Sequence, residues 1–168
     1  GKGGVGKTTL VANVALHLGR QGHKILVLDG DLGMSNLDVM FGVRPVKTIF
    51  DVMNGEVPLS EILVEVSPGV FLVPGGSGIR QLQNLTSSER HLMVSEISRL
   101  PMVFDFMLID TGPGIDENVL YLNSAAQDIN VVVTPDPSSM ADAYALIKVL
   151  TKDFKQTKFS IIANQVRD

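Results

Sequence analysis

Four residues near the start of the chain have the types and spacing of a phosphate-holding loop. They are Gly1, Gly6, Lys7 and Thr8, in the pattern G-x-x-x-x-G-K-[ST]. Glycines let such a backbone turn its N–H groups inward around a β-phosphate, and a helix beginning near Lys7 points its positive end at the anion. Lys7 then reaches the β- and γ-phosphates, and the Thr8 hydroxyl ligates Mg²⁺. Gly3, Gly4, Val5, Gly6, Lys7, Thr8 and Thr9 are therefore the expected nucleotide cradle. The alternative is a glycine-rich turn that merely caps a helix. Against it, the pattern arises by chance about once in tens of thousands of positions at average residue usage. The stretch "GKGGVGKT" also carries a second lysine, Lys2, which a phosphate loop by itself does not need.

Carboxylates recur in patterns that suit the same chemistry. "FMLID" (106–110) is an apolar run ending in an acid, the form of a Walker B segment whose aspartate, here Asp110, holds Mg²⁺. Read without the loop, it is a strand-terminating Asp of a kind common in α/β proteins. "DTGPG" (110–114) adds a glycine-flanked turn that would move when a γ-phosphate leaves. Asp29 and Asp31 stand two apart at a strand end, so their side chains are expected to lean the same way, one of them orienting a water in line with the γ-phosphate. Asn164 follows the last apolar run, where its amide is suited to reading a base edge. His17, His23 and His91 are scattered, and the seven methionines are spread as core residues would be.

The elements that must position these groups are legible from five apolar runs: "ILVL" (25–28), "VFLV" (70–73), "FMLI" (106–109), "VVV" (131–133) and "FSIIA" (159–163). Continuous rather than alternating hydrophobicity marks strands covered on both faces, hence a parallel sheet between helices. Leu10, Val11, Val14 and Leu18 recur at helical spacing after the loop, and Gly22 closes that helix. A second helix is expected over 87–100, with a serine cap and with Leu92, Val94, Ile97 and Leu100 along its length. A third runs over 138–150. Alternating strands and helices predict an α/β, doubly wound, mainly parallel sheet flanked by helices. In such sheets ligands bind outside the carboxyl ends of the strands. Asp29 and Asp31, "PGGSG" (74–78), "DTGPG", "TPDPSS" (134–139) and Asn164 all fall there.

Composition narrows the class. At 168 residues and 45% apolar content the chain is expected to be one globular domain, residues 1–168. Without cysteine it holds no disulfide and no thiolate-bound zinc or iron–sulfur cluster within the chain. A net charge of −4 and no tryptophan argue against a nucleic-acid binder. No apolar run approaches the roughly 18 residues that would span a membrane, so a cytoplasmic protein is expected.

Taken together, the motifs resemble the deviant Walker A (SIMIBI) ATPases of the MinD/ParA class, in which "GKGGVGKT" carries the early lysine. The resemblance runs along the whole chain. "LDGDLGMSNLDVMFG" (28–42) is similar to their switch I, "LIDTGPGI" (108–115) to switch II, and "TPDPSSMADAYALIK" (134–148) with "ANQV" (163–166) to the base-binding side. The "DLGMSNLDV" wording is most similar to the flagellar number regulators of the FlhG (FleN) type. The resemblance implies a P-loop fold, ATP and Mg²⁺ as ligands, and slow ATP hydrolysis to ADP and phosphate. It further implies an ATP-dependent homodimer in which Lys2 reaches the partner's nucleotide, as well as control of flagellar number or placement. On matching positions Lys2, Lys7 and Asp31 would be catalytic, Asp31 orienting the attacking water. Thr8 and Asp110 would hold Mg²⁺, Asp110 through water, and Asn164 would contact adenine. Implied partners are an FlhF-type GTPase, flagellar switch proteins, a flagellar transcription activator, and the inner membrane peripherally. Pro113 departs from the small flexible residue usual there and is expected to stiffen switch II.

Two further expectations follow, and two alternative readings stand beside them. A P-loop ordinarily follows a strand, and none precedes Gly1, so the sequence is expected to be a fragment truncated at both ends. Expressed as written, it is expected to fold poorly or aggregate. A ParA-like partition ATPase binding DNA as an ATP dimer remains an alternative, opposed by the acidic balance. A P-loop small-molecule kinase is another, opposed by the dispersion of Arg20, Arg44, Arg80, Arg90, Arg99 and Arg167, which form no lid-like cluster in sequence.

Overall fold

The computed structural model describes residues 2–32, 34–76, 78–79, 82 and 85–166. Gly1 of the phosphate-loop pattern, Gly33, Ser77, Arg80 and Arg167 lie outside the described residues. The chain divides into two compact units, residues 8–110 in one and residues 1–7 with 111–168 in the other.

The 8–110 unit is built on a four-stranded sheet. Its strands are β1 (Ile25–Gly30), β2 (Val64–Ser67), β3 (Val70–Val73) and β4 (Phe106–Thr111, whose last residue belongs to the other unit), in the spatial order β2-β3-β1-β4. β1 and β3 are parallel, Ile25 opposite Val70 and Leu28 opposite Val73. β2 joins β3 antiparallel at the edge. Phe106 N and Asp105 N both donate to Lys24 O, so β4 starts beside the start of β1 and both run out to the same rim. Every residue of β1 is buried, as its unbroken apolar run predicts. β4 departs from that expectation: Phe106 and Met107 are 45% and 38% exposed, because β4 is an edge strand of this sheet.

Helix α1 (Lys7–Arg20) packs on this sheet with its small residues fully buried and with Val11 and Leu18 of the expected apolar stripe partly buried against the same core. Ala12 and Ala15 are buried against Ile25, Val27, Val70 and Leu72, whereas Val14 of the expected apolar stripe is exposed. Small side chains let the helix axis sit close to the sheet, and Gly19 carries this furthest. A Cβ at Gly19 would lie 2.5 Å from Val70 Cγ2 and 3.3 Å from Pro68 O. Three short helices follow β1: α2 (Leu37–Phe41), α3 (Ile49–Met53) and α4 (Leu59–Ile62). Helix α5 (Ser87–Ser98) starts one residue earlier than its serine suggested. The cap is Thr86, paired with Glu89 in a capping box. Its inner face also differs from the sequence expectation, since Arg90 and Met93 are buried and Leu92 is exposed.

The second unit is a parallel pair, β5 (Ile129–Val133) and β6 (Phe159–Ala163), with α6 (Glu117–Ala125) and α7 (Pro137–Phe154). Val119, Ile129, Val131, Ala143, Leu146 and Leu150 form its core. β6 is only partly covered, Ile161 being 56% exposed, again as one of only two strands in its sheet. No helix among the described residues is long and apolar enough to cross a membrane.

Gly19→Ala tests the tight seating of α1. In an open helix the change would gain about 1 kcal/mol of propensity. Here the new methyl meets a fully buried Val70 and a backbone oxygen, so overpacking of about 1–3 kcal/mol is expected to win. Urea melts should show a net loss of stability; a gain would mean that the helix shifts freely on the sheet.

Candidate functional site

The phosphate loop folds as its glycines require. Gly4 and Gly6 have φ of 77° and 93°, the left-handed region that side chains avoid, and between them Val5 is 2% exposed and anchors the turn. Helix α1 starts at Lys7, directly after Gly6. Lys7 Nζ donates to the Lys2 carbonyl at 3.1 Å, closing the loop on itself. Thr8 and Thr9 lie in the first turn of the helix. Left-handed glycines, a buried anchor and an ammonium held over the loop fit a polyphosphate, and the sequence gives a glycine-rich cap no reason to carry that lysine.

Lys2 lies in the same unit as the amino end of α7. Its ammonium pairs with the Asp136 carboxylate and hydrogen-bonds Ser138 Oγ at 2.5 Å. Asp136 is also the N-cap of α7, accepting from Ser138 N at 2.9 Å, with Pro137 at the first helical position. The Lys2 hydrogen bond, and then those of Ser138, hold the Asp136 carboxyl below the usual carboxylate range. Asp-Pro-Ser reads as a helix start from sequence alone, but its role as a seat for Lys2 does not, because 134 residues separate the pair. Asn164 follows β6, its Nδ2 2.8 Å from Val5 O, and Gln165 Nε2 lies 3.3 Å from Gly4 O. The sequence places Gln165 in the "ANQV" stretch but gives it no role of its own beside Asn164.

The acids of the 8–110 unit behave differently from one another. β1 ends at Gly30, so Asp31 stands beyond the strand, and the two aspartates do not lean together off one pleat as the spacing suggested. Asp29 turns inward and is 1% exposed. It accepts from Asp31 N at 3.3 Å, Asn36 N at 3.2 Å, Leu37 N at 3.0 Å and Ser35 Oγ, fastening residues 31–37 to the end of β1. Asp31 is half-buried on that tethered segment. Asp29 is thus the holder, and Asp31 the carboxylate it positions. Asp110 lies at the rim end of β4 and is 2% exposed. Among the described residues no cluster of His, Cys, Asp and Glu has the makings of an all-protein metal site.

Burial pushes the Asp29 carboxyl above its ordinary value, opposed by Ser35 and by the amides of Leu37, Asp31 and Asn36. For an acid raised on folding, the native state binds more protons than the unfolded one. Stability therefore falls as pH rises from the ordinary carboxylate range through the raised value. Ser35→Ala removes a hydrogen bond that matters most to the ionised form, at a cost of about 1.5–3 kcal/mol at neutral pH. Denaturant melts should show that cost shrinking in acid, as Asp29 protonates; a pH-independent cost would mean that Ser35 acts by packing alone.

A family model described as an AAA domain matches residues 1–162. Antiactivator FleN of Pseudomonas aeruginosa is 38% identical over 164 residues, covering 98% of this chain and 59% of that protein. Flagellum site-determining protein YlxH of Helicobacter pylori is 39% identical over 166 residues, covering 99% of this chain and 56% of that protein. The chain thus spans less than two thirds of the length of these curated relatives. The structure of septum site-determining protein MinD complexed with Mg-ADP, from Pyrococcus horikoshii, superimposes with a TM-score of 0.78 at 30% identity, over 96% of this chain and 64% of that one. Loop, rim acids, α/β architecture and these matches agree, and the chain belongs to the AAA-domain family of MinD/ParA ATPases.

Proposed function

We propose that this protein is an ATP-driven dimerisation switch that hydrolyses ATP slowly and regulates flagellar number or placement. The observation that carries the reading is the second lysine. Lys7 closes the loop and suffices for its own phosphates, whereas Lys2 sits part-exposed on Asp136 and Ser138, with 37% of its side chain open to water. A cation held by so exposed a pair is available to a second molecule. Donated across a face-to-face dimer, it would stabilise charge developing on the partner's γ-phosphate only when two loaded copies meet. ATP and dimerisation are then linked, since each favours the other.

Within that reading the backbone amides of Gly3 to Thr9 and the ammonium of Lys7 bind and orient the triphosphate. Thr8 and Asp110 would hold Mg²⁺, which supplies charge neutralisation between the phosphates. Asp31, on the segment fastened by Asp29, orients the attacking water, and Asn164 contacts adenine. The likeness to FleN and YlxH supports the flagellar assignment, and an antiactivator's role in that relative supports a transcription activator among the partners. An FlhF-type GTPase and flagellar switch proteins complete the proposed partner set, with the protein in the cytoplasm and its ATP dimer peripherally on the inner membrane.

Light scattering in Mg-ATP and in Mg-ADP tests the switch. The wild-type protein should dimerise with ATP and be monomeric with ADP. Asp31→Ala should keep ATP binding and the dimer while slowing hydrolysis by about 10²–10⁴-fold. Lys2→Ala should bind ATP as a monomer and fail to dimerise. A Lys2→Ala protein that dimerises as wild type does would remove the trans role, and a wild type monomeric in both states would turn the search to a phosphoryl acceptor.

A further inference from the structure

We propose that Asn164 and Gln165 form a clamp on the carbonyl side of the phosphate loop and set the direction of its phosphate-facing amides. The inference rests on the loop being the nucleotide site. Both side chains and the loop belong to the same compact unit. The Asn164 amide nitrogen donates to Val5 O at 2.8 Å, and the Gln165 amide nitrogen to Gly4 O at 3.3 Å. Carbonyls only accept, so the orientation of each amide is dictated by its partner.

The consequence follows from peptide geometry. In a planar trans peptide the C=O of one residue and the N–H of the next point in opposite directions. Holding Gly4 O on one side therefore turns Val5 N–H to the other, and holding Val5 O does the same for Gly6 N–H. These two amides lie in the middle of the loop, where phosphate oxygens would be received. Without a clamp, left-handed glycines on either side of Val5 would let those peptides rotate, because glycine has little preference among the conformations open to it.

Two further features fit a built device. A Cβ at Gly6 would lie 2.5 Å from Asn164 Nδ2, so the glycine opens the space through which the amide reaches the loop. Gln165 has φ of 55°, one of only two non-glycine residues with positive φ among the described residues. That conformation is costly for a residue with a Cβ, and here it accompanies the side chain's reach to Gly4. Asn164 itself is registered by its own backbone, its N–H donating to Val133 O at 2.8 Å in continuation of the β5–β6 ladder. The clamp is thus anchored on the sheet, and both residues are positioning residues.

Calorimetric titration of the intact protein with ATP and with inorganic tripolyphosphate, in Mg²⁺, separates clamp from base contact. Gln165→Ala should weaken ATP and tripolyphosphate by the same factor, roughly two- to tenfold for one lost hydrogen bond, whereas Asn164→Ala should weaken tripolyphosphate by that factor and ATP by more, through the added loss of its adenine contact. Gln165 is exposed, so its variant should melt as wild type does, which distinguishes loop orientation from unfolding. If Asn164→Ala weakens ATP but leaves tripolyphosphate unchanged, Asn164 reads the base and the clamp is overturned there. A Gln165→Ala protein unchanged toward both ligands overturns it at Gln165. Wild type that binds neither ligand sinks the nucleotide reading itself, and the clamp with it.

Discussion

Loops at the carboxyl ends of strands lack the ladder partners that strands and helices provide, and here a few side chains supply them. The loop after β1 is held by the carboxylate of Asp29, which receives three backbone N–H groups and one hydroxyl. The turn after β5 is held by Ser139, whose hydroxyl accepts from Thr134 N at 3.1 Å; both residues are buried. The phosphate loop is held from its carbonyl side by Asn164 and Gln165. An unpaired backbone group inside a protein costs as much as a lost hydrogen bond. Each of these side chains therefore decides which way its loop faces.

The choice of partner type follows from what each loop must do. A carboxylate accepts only, with two oxygens, so Asp29 can gather several donors from the segment that follows β1. It does so at the expense of desolvation, which is why burial is the largest influence on its titration and raises it despite four hydrogen bonds. The phosphate loop presents the opposite need. Its N–H groups must stay free for an anion, so its supports have to be donors, and an amide donates without bringing a charge next to the phosphates. A lysine there would compete with Lys7 for the same anion; an aspartate would repel it.

Much of this architecture is legible in the sequence, and the illegible parts share a cause. β3 and β6 occupy the runs "VFLV" and "FSIIA" residue for residue, because unbroken apolar runs bounded by turn residues have few other readings. β2 is hidden from such a pattern, since "VEVS" carries an acid and lies antiparallel at an edge where one side meets water. The inner face of α5 departs from its apolar pattern because Arg90 buries its length while donating to Leu85 O at 2.7 Å, which hydrophobicity alone does not anticipate. The loop lysine and glycines are recognisable by type and spacing, and Asp110 by the apolar run it ends, whereas the choice of Asp31 over Asp29 rests on the family resemblance alone. The division of labour between Asp29 and Asp31 is not legible in this way, because it depends on where β1 stops. Gln165 and the seat of Lys2 depend on contacts more than 130 residues apart, which no local pattern encodes.

The seat of Lys2 has the strength that the proposed switch requires. Lys2 and Asp136 keep 37% and 46% of their side chains exposed, so water screens the pair and solvates both ends when it opens. Asp136 would not be stranded by the departure, because it still caps α7 through Ser138 N. A buried partner would have been different: removing one member of a buried ion pair leaves an uncompensated charge and makes release costly. An exposed, twice-held lysine can be ordered in the single chain and still be surrendered to a stronger anion. The trans reading of Lys2 requires such a combination, and a loop with Lys7 alone would not provide it.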